Sequence, residues 1–168
     1  MIYLYLTSII MANVVTAQFA PLNFGWCIVP YGTFIIGLTF IFRDLVQQRI
    51  GRRKTYGVIG LALVLSAVTS AILGDPLTIV IASAVTFAFS ETADTEIFTR
   101  LRGTFIEKVL YSSVIGGIVD SSIFVIIGLS PFGAGFLSWS QVPLAILGQI
   151  LVKTLMQLGS VIAIRRFM

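Results

Sequence analysis

Two opposite charges lie at matching depths in two long apolar segments of the sequence. Asp120 follows Lys108 by 12 residues, and Lys153 follows Gln141 by 12 residues in a segment expected to run the other way. At 1.5 Å per helical residue, each charge would lie about 18 Å deep, near the middle of a bilayer. An unpaired charge there costs several kcal/mol, so such residues find partners inside a bundle. The pair either fixes helix packing or lines a polar substrate cavity, and we favour the cavity because small residues would suffice for packing.

The last apolar segment carries a polar stripe. Gln149, Lys153 and Gln157 recur at i, i+4 and i+8, which places them on one helical face. Such a face requires water or a ligand. Asn13, in the first segment, offers both a donor and an acceptor to the edge of a heterocycle, but a hydrogen bond between helices explains it equally well.

The fourth apolar segment contains the densest group of acids. Glu91 and Asp94 are i, i+3 neighbours, so we expect one of them to keep a proton unless a cation or a donor-rich ligand lies between them. Arg43 and Asp44 form another opposite pair, in which Arg43 either reaches these acids or extends to the membrane surface. Arg43 and Asp44 are therefore predicted to form a gate or an ion pair. The predicted substrate-binding residues are Asn13, Glu91, Asp94, Asp120, Gln149, Lys153 and Gln157.

The composition indicates that lipid surrounds most of the chain. Hydrophobic residues make up 57% of the 168 residues and charged residues only 11%, with a mean hydropathy of +1.02. Each membrane span needs roughly 20 apolar residues, so six spans use almost the whole sequence. We predict an all-α integral membrane protein, a compact six-helix transmembrane bundle that forms a single domain over 1–168. The predicted helices cover 1–19, 30–48, 56–73, 76–99, 108–129 and 142–164.

The distribution of basic residues predicts the orientation. Positive charge is retained in cytoplasmic loops, and here it is confined to the 2–3 and 4–5 connections and the C-terminus. All five prolines lie at the opposite side, where three of them (Pro30, Pro76 and Pro143) open helices. Both signals predict a multi-pass inner-membrane protein with both termini in the cytoplasm. The basic residues concerned are Arg49, Arg52, Arg53, Lys54, Arg100, Arg102, Lys108, Arg165 and Arg166.

Several classes of function are excluded by what the sequence lacks. The net charge of +4 resides in short loop clusters, so we expect no nucleic-acid partner. Cys27 is the only cysteine and there is no histidine, so we expect no intramolecular disulfide, no metal site and no cofactor. The chain has no GxxxxGK[ST] loop for ATP hydrolysis. Segment 117–120 reads Gly-Ile-Val-Asp instead of the Gly-x-Gly-Asp of aspartyl membrane proteases, and no catalytic residue is predicted.

Five segments occur in an order that is found in a known transporter family. They are Asn13, Tyr31-Gly-Thr-Phe through Phe42-Arg-Asp-Leu45, Ser90-Glu-x-x-Asp-x-x-Ile-Phe-x-x-Leu-Arg102, Asp120-Ser-x-x-Phe124 and Lys153. Together they resemble the queuosine precursor transporter family, also called the vitamin uptake transporter family. The resemblance implies a secondary transporter or facilitator that imports 7-deazaguanine bases, the nitrile and aminomethyl precursors of queuosine in transfer RNA.

The acids suit such a substrate. A guanine-like edge presents adjacent ring and exocyclic N–H donors, which one carboxylate can accept in bidentate fashion. Asp94 and Asp120 fit this role, while an Asn or Gln side chain would satisfy the carbonyl side. The expected partners are this small molecule and the lipid bilayer. The sequence leaves open a homodimer, the coupling ion and the choice between the two precursors.

Two other functions stay open. The chain could be the membrane substrate-binding subunit of an energy-coupling-factor vitamin importer, which docks through small residues on an early helix. Ala12, Thr16 and Ala20 offer such a face. A purely structural membrane protein is the other alternative, and the charges of Asp120 and Lys153 at mid-depth argue against it.

Overall fold

A computed structural model describes residues 1–25 and 28–167, with side chains to Ile162. Cys27 and the side chains of Arg165 and Arg166, used above, lie outside the described residues. The helices are α1 (Ile2–Gln18), α2 (Gly32–Ile50), α3 (Arg52–Ile72), α4 (Leu77–Arg100), α5 (Phe105–Ile123) and α6 (Val142–Phe167). A π-helical turn, Phe124–Leu129, continues α5.

Each of the six predicted segments is helical, and the differences lie at the ends. α5 begins at Phe105 rather than at 108 because Thr104 and Glu107 form a capping box, in which the Glu107 carboxylate accepts from the Thr104 amide at 2.8 Å. α3 begins at Arg52 because Gly51, with φ of +78°, makes the whole turn after α2. The all-α prediction also missed a short antiparallel ribbon, in which β1 (Leu22–Asn23) pairs with β2 (Ile28–Val29).

Among the described residues, four helical stretches are long and apolar enough to cross a membrane. They are Arg52–Ile72, Leu77–Arg100, Phe105–Leu129 and Val142–Ile162. α1 is apolar but has only 17 residues. α2 has 19 residues and carries three charged side chains, Arg43, Asp44 and Arg49. The chain is thus an all-α multi-pass membrane protein apart from the ribbon.

The six helices pack as a closed ring. α1 contacts α2 and α3, α2 continues to α6, and the ring closes through α5 and α4 back to α3. The outside of the ring is apolar, as on α3, where Leu61, Val64 and Ile72 are at least half exposed. Polar and charged side chains face inward. This arrangement, the reverse of a soluble protein, suits a lipid solvent.

Both internal basic connections lie at the same end of the ring. Arg52, which follows the α2–α3 turn, forms an ion pair with Glu96 in the last turns of α4. Glu96 also accepts a hydrogen bond from the Tyr56 hydroxyl at 2.6 Å and contacts Arg100 at 3.3 Å. The two connections that carry basic residues, α2–α3 and α4–α5, therefore lie together at one end of the ring, which we call the basic end.

Close packing of α1 on α2 depends on Gly32. A Cβ atom there would collide with the Thr16 side chain and lie 2.6 Å from the Ala12 carbonyl oxygen. Because backbone cannot yield easily, we expect Gly32→Ala to destabilise the protein by about 1–3 kcal/mol. Gly57→Ala on α3 is the control, since no atom lies within 4 Å of its Cβ position, and we expect it to be neutral or stabilising. Thermal unfolding in detergent measures both, and equal stabilities would contradict this packing.

Candidate functional site

A cavity lies inside the ring and reaches from one end of the helices to their middle. It holds about 880 Å³ of space that no atom occupies, including its open mouth. Pro30 and Asp75 line its mouth, at the end opposite the basic connections. Along α4 its wall runs from Ile79 to Glu91, 12 residues or about 18 Å. The cavity therefore extends from one end of the ring to the depth of Glu91.

An ion pair lies at the deep end of the cavity. Lys153 Nζ of α6 is 2.5 Å from Asp120 Oδ2 of α5, and both residues line the cavity. Lys153 also donates to Ser121 Oγ at 2.9 Å, and Ser90 Oγ donates to Asp120 Oδ1 at 3.2 Å. Lys153 is 1% exposed and Asp120 8%. Three helices thus hold a fixed pair of opposite charges beside empty space.

A second charged cluster lies beyond the cavity, toward the basic end. Arg43, fully buried on α2, contacts Asp44 at 2.7 Å, forms an ion pair with Asp94 and lies 3.8 Å from Glu91 through Nε. Its Nη1 donates to Thr95 Oγ1 at 2.6 Å. Of the two orientations left open by the sequence, Arg43 therefore reaches the α4 acids and does not extend to the surface. We call Arg43, Asp44, Glu91 and Asp94 the arginine cluster.

Two serines complete the arginine cluster from α5. Ser112 Oγ and Ser113 Oγ donate to Asp44 Oδ2 at 3.4 and 3.3 Å. Gly116 lies on the same helix, where a Cβ atom would be 2.9 Å from Asp94 Cβ, so the small residues of α5 serve close packing against α4.

The predicted site residues fall into two groups. Those on the cavity wall are Asn13, Glu91, Asp120, Gln149 and Lys153. Those beyond its deep end, off the wall, are Arg43, Asp44, Asp94 and Gln157. Glu91 is the residue of the arginine cluster that also lines the cavity.

Two predicted amides already have protein partners. Asn13 Nδ2 donates to the carbonyl oxygen and to Oγ of Ser66, each at 3.0 Å, so it links α1 to α3 at the cavity wall. Gln157 Nε2 donates to the Ser113 carbonyl oxygen at 3.0 Å and links α6 to α5. Both helix-bridging hydrogen bonds are present, and Asn13 still borders the cavity.

Two uncharged polar groups on the cavity wall have no partner in the part of the chain that the structure describes. One belongs to Gln149, which the sequence predicted, and the other to Thr86, which sequence reasoning missed. Thr86 Oγ1 and Gln149 Nε2, both on the cavity wall, find no hydrogen-bond partner among the described residues, although the residues are only 2% and 1% exposed. A buried unsatisfied polar group costs about 1–3 kcal/mol, which a bound ligand can offset. Thr86 could have been found from its spacing, because Thr86, Ser90 and Asp94 recur every four residues.

A tyrosine was also missed. Tyr5 of α1 is fully buried, and its hydroxyl likewise has no partner in the described part of the chain. No spacing pattern distinguishes Tyr5 from the other aromatic residues of an apolar helix.

Comparison with known families gives a match to a transporter family. A family model described as "Putative vitamin uptake transporter" matches residues 56–166, about two thirds of the chain. The matched range includes the helical segments that carry Glu91, Asp120 and Lys153. No curated protein and no solved structure matches the chain.

Proposed function

Since the chain belongs to the vitamin uptake transporter family, we propose that it imports a purine-like base across the inner membrane, specifically 7-cyano- or 7-aminomethyl-7-deazaguanine. The observation that carries the proposal is the cavity with charged and unpartnered polar groups at its deep end. Membership of this family favours transport over catalysis. The queuosine precursors come from the motif resemblance described above.

In this proposal all six helices span the membrane, with both termini in the cytoplasm. α1, with 17 residues, and α2, with 19, are about 26 and 28 Å long, close to the thickness of the hydrocarbon core. The charges of Arg43 and Asp44 do not oppose a spanning α2, because both side chains are fully buried and away from lipid. With the basic connections inside, the cavity mouth at Pro30 and Asp75 opens outward, as import requires.

The wall of the cavity offers complementary groups to a guanine-like base. The carboxylate of Asp120 can accept paired N–H donors, and the unpartnered Gln149 Nε2 can donate to the carbonyl oxygen. Phe40 and Phe87 line the same space and offer flat apolar surface to the rings. A planar heterocycle with donors on one edge would therefore satisfy both kinds of wall residue.

The alternative function requires a free docking face on α1. Ala12 is buried and packs against Gly32 of α2, and Thr16 contacts Gly32 as well, whereas Thr16 and Ala20 are exposed. The buried part of the face contributes to packing within the chain, which is the observation that favours a transporter that works alone over a subunit of an energy-coupling-factor importer. Stable co-purification with an ATPase module would favour the subunit.

The proposal is tested in a bacterial strain that cannot make the queuosine precursors. We expect the protein to restore queuosine in transfer RNA when either base is supplied outside at low concentration. An empty vector is the control. Absence of queuosine despite normal amounts of protein in the membrane would refute the proposal.

Substitution of Gln149 is expected to weaken substrate binding without weakening folding. Gln149→Met removes a buried donor that has no protein partner, so we expect unchanged or higher stability and an uptake KM raised by roughly tenfold, the value of one lost hydrogen bond of about 1–1.5 kcal/mol. Gln157→Met is the matched control, because its amide bonds to the Ser113 carbonyl oxygen off the wall and its loss should lower stability. Concentration-dependent uptake and detergent unfolding measure the two effects. If Gln149→Met instead lowers stability and leaves the uptake KM unchanged, Gln149 is not part of the binding site.

A further inference from the structure

Buried acids outnumber buried bases inside the ring. Among the described side chains the buried acids are Asp44, Glu91, Asp94 and Asp120, and the buried bases are Arg43 and Lys153. Asp120 and Lys153 neutralise each other, whereas the arginine cluster holds three carboxylates around one guanidinium. Fully ionised, the cluster would carry two excess negative charges in a dry interior, where each costs several kcal/mol. Positive charge from elsewhere must therefore enter the cluster.

A metal ion is a poor source of this charge. The guanidinium of Arg43 already occupies the position between the carboxylates. In the described parts of the chain, no group of three or more acidic, Cys or His side chains is arranged to hold a metal ion. Sodium sites of transporters commonly use the carbonyl groups of interrupted helices, and α2 and α4 continue unbroken past the cluster. Protons can neutralise the acids without a coordination site.

Glu91 is the acid through which a proton can reach the cluster. It lines the cavity, whereas Asp44 and Asp94 lie off its wall. Its Oε2 has no hydrogen-bond partner within the described residues, and its contact to Arg43 Nε, at 3.8 Å, exceeds hydrogen-bond length. A carboxyl oxygen that is buried, lacks a hydrogen-bond partner and lies beside the cavity is suited to accept and release a proton.

The other charged groups around Glu91 fit this role. Tyr5 faces it from α1, Arg43 from α2, Asp94 from α4 itself and Asp120 from α5. From α6, Lys153 borders the same cavity, and α3 presents only Ser66 and Ser70 there. The nearest positive charge, Arg43, is shared with two further acids, so it does not hold Glu91 permanently ionised.

We propose that Glu91 carries the coupling proton and that the base enters by proton symport. The proton binds a Glu91 carboxylate oxygen from the outward-facing cavity and leaves to cytoplasmic water after the base is released, so that the carboxylate returns unprotonated. This inference rests on the proposed function. It adds the driving force, the proton gradient, to the import of the base.

The test uses purified protein in liposomes that contain a trapped pH dye. The probe is 7-cyano-7-deazaguanine, which lacks the ammonium of the aminomethyl base and so brings no titrating amine of its own. Radiolabelled exchange of the base without any gradient measures transport, and dye fluorescence during net uptake measures proton entry. We expect the wild-type protein to acidify the lumen during uptake and to accumulate the base when the outside is made acidic.

Glu91→Gln and Glu96→Gln form the matched pair of variants. Glutamine imitates a permanently protonated Glu91, so we expect exchange of the base to remain measurable while lumen acidification and accumulation driven by the pH gradient are lost. Glu96 lies on the same helix at the basic end, partly exposed and paired with Arg52 and Arg100, so its variant should keep proton entry.

Every other outcome would refute one specific part of the proposal. Absence of exchange in the wild-type protein refutes the proposed function itself. Exchange without proton entry, or accumulation driven by sodium, refutes proton coupling and leaves import standing. Acidification by the Glu91→Gln variant, or complete loss of its exchange despite a monodisperse protein, refutes Glu91 as the proton carrier.

Discussion

Asp120→Asn is expected to abolish import of the base and to destabilise the protein by about 3–5 kcal/mol, because it leaves the Lys153 ammonium buried without its counter-charge. Lys153 Nζ would still donate to Ser121 Oγ at 2.9 Å, but this hydroxyl carries no negative charge. Queuosine in transfer RNA measures import, and unfolding in detergent measures stability. Asp120→Asn with full import would remove Asp120 from the site.

A double variant separates the role of this pair in binding from its role in packing. Asp120→Asn with Lys153→Met replaces two buried charges by neutral side chains, and such exchanges are often neutral for stability. We therefore expect the double variant to recover most of the lost stability and to remain inactive. If it imports the base as well as the wild-type protein, the pair only fixes the packing of α5 on α6.

Arg43→Met is expected to prevent accumulation of the folded protein. It removes the guanidinium from three buried carboxylates, and breaking even one buried pair costs about 3–5 kcal/mol, a large part of a typical total stability of about 5–15 kcal/mol. Fluorescence of a C-terminal fusion in the membrane fraction measures accumulation. We expect the double variant Arg43→Met with Asp94→Asn to accumulate to a higher level than Arg43→Met alone, because one buried negative charge is then removed as well.

Arg52→Met is the control for this prediction. Its partner Glu96 lies at the basic end, and the two side chains are 50% and 22% exposed, so this ion pair should contribute at most about 1 kcal/mol. Accumulation of the Arg43→Met variant at the level of the control would mean that the acids of the arginine cluster are neutral without their arginine.

Helix positions could be predicted because each helix is a long, mainly apolar run bounded by charges, Gly or Pro. The start of α5 was predicted at 108 instead of Phe105, although Thr104 and Glu107 have the spacing of a capping box that marks the true start. The π-helical turn Phe124–Leu129 could not be read, because its apolar residues are equally compatible with an α-helix. The ribbon between α1 and α2 has two residues in each strand, too few for an alternating pattern.

The contact between Asp120 and Lys153 could be anticipated because helix rise converts sequence position into depth. Depth says nothing of which helices are neighbours, however. The sequence could not show that α2 lies between α1 and α6, and it is this position that brings Arg43 to Asp94 instead of to the surface. For the same reason the sequence could not distinguish Asp94 from Glu91. Both were predicted to bind substrate, but of the two only Glu91 borders the cavity.

Arg43 and Asp44 are adjacent in the sequence, and this adjacency would affect how α2 enters the bilayer during synthesis. α2 leaves the ribosome before α4, so Arg43 must wait for its acids on that later helix. Because Asp44 is adjacent and its carboxylate lies 2.7 Å from Nη2 of Arg43, α2 brings its own neutralising charge to the translocon. Insertion scales assign roughly 2.5–3.5 kcal/mol to a lone central charge, so in the proposed six-span arrangement this self-neutralised pair would ease membrane integration of α2 until its later partners arrive.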